Sequence, residues 1–131
     1  MLVAAGFSVK RLSTTGRHAI PYRFLDAGHV ELPPIGKRVR LQKSLDLLLG
    51  GRRAVIPEGY ETVVISPGPR SSTGYSLRVL SVTEERSRIV VRVEEESPRL
   101  GQRVQPVVSY PYRIVLIPWS GKRVLVKWQS H

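Results

Sequence analysis

Three histidines, His18, His29 and His131, and no cysteine make up the sequence's stock of the side chains most often used in catalysis. Proton transfer or nucleophilic attack needs a tuned acid, base or nucleophile beside a reacting group, and histidine fills that role most often. His18 and His29 stand in weak strand or turn surroundings with no dense acid cluster nearby, and His131, at the end of the sequence, is expected to fray. Without cysteine there is no thiolate nucleophile, no disulfide and no cysteine-based metal site. Glu84-Glu85 falls in an expected turn and Glu94-Glu-Glu96 at an expected strand end, positions that suit solvated charge rather than an acid and base pair. There is also no phosphate-binding glycine loop, dinucleotide fingerprint or G-x-S-x-G elbow. The expectation is a protein without enzymatic activity, resident metal or cofactor.

Two other groups of residues suit binding. The first is Ser66-Pro-Gly-Pro-Arg-Ser-Ser-Thr-Gly-Tyr75, with a second aromatic turn at Ser109-Tyr-Pro-Tyr112. Gly74 can take a positive φ, Pro67 and Pro69 stiffen the approach, and Ser72 and Thr73 can hydrogen-bond locally. A loop held rigidly in this way binds with less entropic loss. Arg70, Ser72, Thr73, Tyr75, Tyr110 and Tyr112 are therefore the candidate protein-binding residues, Arg and Tyr being frequent interface anchors. The same stretch also reads as a well-made hairpin turn with Tyr75 in the core.

The second group follows from a formal charge of +11, with 21 basic against 10 acidic residues, enough to attract a polyanion. The densest basic clusters are Lys37-Arg-Val-Arg40 and Arg52-Arg53, so Lys37, Arg38, Arg40, Arg52 and Arg53 form the alternative, nucleic-acid-binding set. They are not interleaved with aromatics, and a solvated surface explains them better than a binding face does.

The elements that would hold these residues are mostly strands. Apolar and polar residues alternate in Arg88 to Glu94, with Ile89, Val91 and Val93 on one side, and again with Val124, Val126 and Trp128 on one side. Both read as half-buried antiparallel strands. Tyr75 to Val82 starts with Tyr75, Leu77 and Val79 inward and then changes phase to Leu80 and Val82, which requires a bulge near Val79. Arg113 to Ile117 and Thr62 to Ile65 read as central strands covered on both faces. Weaker strands are expected at Phe7 to Leu12, Ala19 to Leu25 and Lys37 to Leu41, with Pro21 pushing the second towards a sheet edge. One short helix is expected over 44–49, capped by Ser44, with Asp46 in its first turn and the Gly50-Gly51 pair ending it. The turn of a hairpin is expected at 83–87.

At 131 residues the chain suits a single domain, 1–131, in which 1–53 packs on 54–128. The fold class expected is mostly β, an antiparallel sandwich or open barrel with one short α-helix. No apolar run approaches the length of a membrane helix. Met1 to Gly6 reads as an ordinary first strand or arm more readily than as a shortened export signal, and the compartment stays open. The lack of Asn and the excess of sixteen Arg over five Lys fit a hot-growing source or a GC-rich genome.

The order of motifs resembles the C-terminal domain of the PrcB family, named after a subunit of a bacterial surface protease complex. Thr62 to Ile65, Ser72-Thr-Gly-Tyr75, Glu94-Glu-Glu-Ser-Pro98 and Ser109-Tyr-Pro-Tyr112 leading into Arg113 to Pro118 follow the family's sequence of strand, T-G-G-Y type turn, acidic-then-proline loop and T-x-P-Y type segment. The resemblance spans about 54–128 and departs from the pattern in its single glycine at Gly74. It implies a non-catalytic protein-binding module, an accessory subunit, stabiliser or inhibitor whose partner is another protein of the peptidase class. Ser72 to Tyr75 is also similar to the N-P-T-T-G-Y loop of chagasin-type inhibitors of cysteine peptidases, and Pro118-Trp119 faintly to their R-P-W loop.

Overall fold

The computed structural model describes residues 18–50 and 54–129. Among them the chain forms β1 (His18–Ala19), β2 (Arg23–His29), β3 (Ile35–Val39), α1 (Gln42–Leu49), β4 (Tyr60–Ser66), β5 (Ser76–Glu84), β6 (Arg88–Glu96), β7 (Pro111–Pro118) and β8 (Arg123–Gln129). They build two four-stranded sheets, β1-β5-β6-β8 and β2-β7-β4-β3, packed as a sandwich. No helix among the described residues is long and apolar enough to cross a membrane.

Two apolar clusters explain the two strand patterns. Between the sheets, Leu77, Val79, Val82, Ile89, Val91 and Val93 meet Val63, Ile65, Val115 and Ile117. On the far side of the second sheet, Leu45 and Leu49 of α1 join Leu32, Val39 and Ala54 over Val64, Tyr112 and Ile114. β4 and β7 are therefore the central strands of a sheet covered on both faces, as their unbroken apolar runs predict. The expected bulge appears as a register shift between Val79 and Ser81, and it returns Val82 to the core while Leu80 stays half-buried.

Four expectations need correction. β8 pairs with β6 in parallel, Arg88 to Arg123 through Glu94 to Gln129, although alternation suggested antiparallel strands throughout. Alternation reports faces and not direction; here the chain leaves β6, passes through β7 in the other sheet and re-enters alongside β6. The strand expected at 19–25 is two strands in different sheets, broken around Pro21, each at a sheet edge. The strand expected at 37–41 starts and ends two residues earlier. The helix also starts earlier, at Gln42, with Leu41 at its N-cap, no side-chain cap and no acid in its first turn. Gln42 ties that end instead: its amide donates to Asp46 Oδ1 (2.8 Å) and the Ala54 carbonyl (2.7 Å), and its oxygen accepts from Ile56 N–H (2.8 Å). Gly50 closes the helix in the left-handed region, φ 61° and ψ 40°. Phe7 to Leu12, Arg52, Arg53 and His131 lie outside the described residues.

Candidate protein-contact site

The loop from Pro67 to Tyr75 leaves central strand β4 and lies along the loop that runs from Ser97 to Tyr110. Arg70 and Ser109 exchange backbone hydrogen bonds of 2.8 and 3.0 Å, an isolated bridge that joins the two loops. Thr73 N–H donates to the Gln105 carbonyl (3.1 Å) while Thr73 Oγ1 accepts from Gln105 N–H (2.8 Å). Ser109 Oγ donates to the Ser72 carbonyl (2.6 Å). The Ser72 hydroxyl donates to the Thr73 carbonyl (3.0 Å) within its own loop, while Thr73 and the Ser72 carbonyl are spent on a latch between loops. Gly74 sits in the tightest part of it, at φ +98°, against Pro98 and Val104.

Arg70 is committed in the same way. Its Nε donates to Glu95 Oε2 (2.5 Å) and its Nη2 to Glu95 Oε1 (2.7 Å), a two-pronged pair at the end of the sandwich. Nη1 donates to the Pro69 carbonyl (2.9 Å). The hydrogen bonds to Glu95 raise the Arg70 pKa above its ordinary value, burial opposes the rise, and the charges of Glu95 and Tyr75 add to it. Glu95 can do this because odd-numbered positions of β6 point inward, and at the strand's end the inward side chain meets the loop. The sequence showed three glutamates at a strand end without showing which one turns in.

Tyr112 is not presented at all: it is 2% exposed, part of the cluster beneath α1, with its hydroxyl donating to Asp26 Oδ2 (2.7 Å). Tyr75 and Tyr110 are half-buried beside the latch. The outward side chains come from Leu100 to Val108, a segment with no strand or site motif in the sequence. Leu100, Val104, Val107 and Val108 are 106%, 38%, 51% and 61% exposed. The signal that could have found it is a run of valines and polar residues without strand alternation, which groups several apolar side chains in one loop.

The alternative basic set divides differently. Arg38 in β3 and Arg40 just beyond its end close over Glu61, whose side chain is fully buried. Arg40 Nε donates to Glu61 Oε1 at 2.8 Å, Arg38 Nη2 reaches Oε2 at 3.3 Å, and Ser120 N–H donates to Oε2 at 2.9 Å. Both guanidiniums also bond main-chain carbonyls of the 120–122 turn, Arg38 to Lys122 and Arg40 to Ser120. Arg40 stacks 4.3 Å over the Trp119 ring. Only Lys37 of the described members is exposed without such a role in the structure's contacts. His18 Nε2 lies 3.1 Å from Glu84 Oε1.

The chagasin-type likeness is not confirmed. Ser109, bridged to Arg70, sits just before β7, whereas Pro118-Trp119 sits at its other end. Eight residues of strand separate the two by roughly 25 Å. The two segments that carry the likeness are at opposite ends of the sandwich.

Comparison with curated proteins and with solved structures gives no match. The family model of the PrcB C-terminal domain matches residues 62–118, less than half of the chain. That span runs from β4 to the end of β7 and includes both latched loops. Over this part the chain is similar to the PrcB C-terminal domain.

Proposed function

We propose that the protein is a non-catalytic protein-binding module, an accessory subunit of a complex built around a peptidase, and that it makes contact through the latched edge formed by 67–75 and 97–110. The observation that carries this reading is the exposure of Leu100, Val104, Val107 and Val108 on a loop whose main chain is pinned to its neighbour by hydrogen bonds. Apolar side chains on a rigid loop lose little entropy on binding and gain from leaving water. Tyr75 and Tyr110 flank them, and half-buried aromatics suit an interface. Arg70, Ser72 and Thr73 then act as positioning residues. The family match, which covers both loops, supports a peptidase complex as the setting.

Pull-down from the source organism, with peptidases scored first, tests this. Val107→Asp with Val108→Asp should reduce capture at least tenfold. Arg70→Ala with Tyr110→Ala should also weaken it by loosening the latch. Lys37→Glu should leave it unchanged. Full-strength capture by both loop variants, with loss on changing Lys37, would overturn the reading.

A further inference from the structure

The parallel pairing of β6 with β8 has an electrostatic result that neither strand shows alone. Ile89, Val91 and Val93 point into the sandwich, so Arg88, Val90, Arg92 and Glu94 point outward. In register, Arg88 lies beside Arg123, Val90 beside Leu125, and Arg92 beside Lys127. Four cations thus occupy one sheet face as two like-charged pairs, about 5 Å apart across the strands and about 13 Å apart along them. Like charges in neighbouring strand positions repel, so the arrangement is unfavourable until an anion sits between them.

Little on this face neutralises it. On the other flank of β6, Arg92 faces Ser81 and Val90 faces Thr83, so β5 supplies no carboxylate there. Arg88 pairs with Glu85 at 3.0 Å, and Arg92 has Thr83 Oγ1 at 3.4 Å. Among the described residues no carboxylate lies within ion-pair distance of Arg92, Arg123 or Lys127. Glu94 lies at the far end, where it holds Arg78 at 3.6 Å. Arg123 and Lys127 are exposed.

We infer that this outer face of the β6–β8 pair is a docking surface for the phosphate backbone of duplex nucleic acid. Outward positions on both strands are cationic, aliphatic or amide-bearing apart from Glu94, with no aromatic on which an unpaired base could stack, so the contact is with backbone charge rather than with splayed bases. A lipid surface fits less well, because the outward apolar residues Val90 and Leu125 are buried and half-buried and offer nothing to insert. This face is separate from the latched loops and stands without them.

Fluorescence anisotropy with a labelled 20-base-pair DNA duplex and the full chain tests the inference. Four phosphate contacts predict a loss of affinity on the order of 10²-fold between 50 and 200 mM salt. Arg92→Glu with Lys127→Glu should weaken binding at 50 mM at least tenfold and flatten the salt dependence. Arg92→Gln with Lys127→Gln should do so less, with an unchanged circular dichroism spectrum for both. Lys37→Glu with Lys43→Glu, which changes net charge equally, should have a much smaller effect. Three results would overturn the inference: no duplex binding at 50 mM salt, equal losses from the two charge-reversed pairs, or binding to anionic phosphatidylserine vesicles in place of the duplex.

Discussion

At position 74 a methyl group added to the backbone would stand 2.8 Å from Val104 Cγ1 and 2.9 Å from Pro98 Cγ, at a φ that side chains rarely adopt. Gly74→Ala is therefore expected to cost about 1–3 kcal/mol in denaturant unfolding and to loosen the latch. The need for glycine there was legible in the sequence; the reason, a neighbour 30 residues on, was not. Glu61 is the converse case. It follows Tyr60 as an ordinary strand residue, yet it is a fully buried acid that organises Arg38, Arg40 and the 120–122 turn. Glu61→Gln leaves two guanidiniums facing a neutral amide. Those guanidiniums are partly exposed, so a loss near the low end for a broken buried pair is expected, about 3 kcal/mol by urea titration. Arg70, a candidate interface anchor by type, is also a half-buried strut that braces the latch through Glu95. Because its pKa is raised, the stabilisation from the Arg70–Glu95 pair is fully present below the unfolded-state pKa and fades from the arginine side only in strong alkali. The latch should thus not open through Arg70 at neutral pH.

Among the elements, strands were easier to read than their partners. Burial on one face imposes period two, and burial on both erases it, so Arg88 to Glu94 and Arg113 to Ile117 declared their places in the sandwich. Direction leaves no such mark, and the parallel β6–β8 pair went unread. The helix was legible from Leu45, Leu48, Leu49 and Gly50, but its start was not, because Gln42 anchors it to Ala54 and Ile56 in place of a Ser44 cap. The helix contributes through its inward leucines. Leu45→Ala, at a site with no exposure, should cost about 2–5 kcal/mol, whereas Leu47, 77% exposed, should accept Glu with a change within about 0.5 kcal/mol. Thermal unfolding of the two variants side by side checks both.

On the scale of the whole molecule, the sandwich gives the protein three distinct places. One end carries the latched loops with their exposed valines, the opposite end carries the Glu61 clamp and Trp119, and the outer face of β6 and β8 carries paired cations. The family match covers the first of these through both loops, which is why the central claim rests there. Sequence reading found that end through Ser72 to Tyr75 but missed Leu100 to Val108, since exposed valines in a loop resemble strand residues until their burial is known. A photo-crosslinking amino acid placed at position 108, and in a second protein at position 47 on the exposed side of α1, tests the claim most directly in source-cell lysate. The account predicts a discrete protein adduct from position 108, abolished by Val107→Asp, and none of the same mass from position 47. Equal adducts from both positions, or none from position 108 while the folded protein is retained, would contradict it.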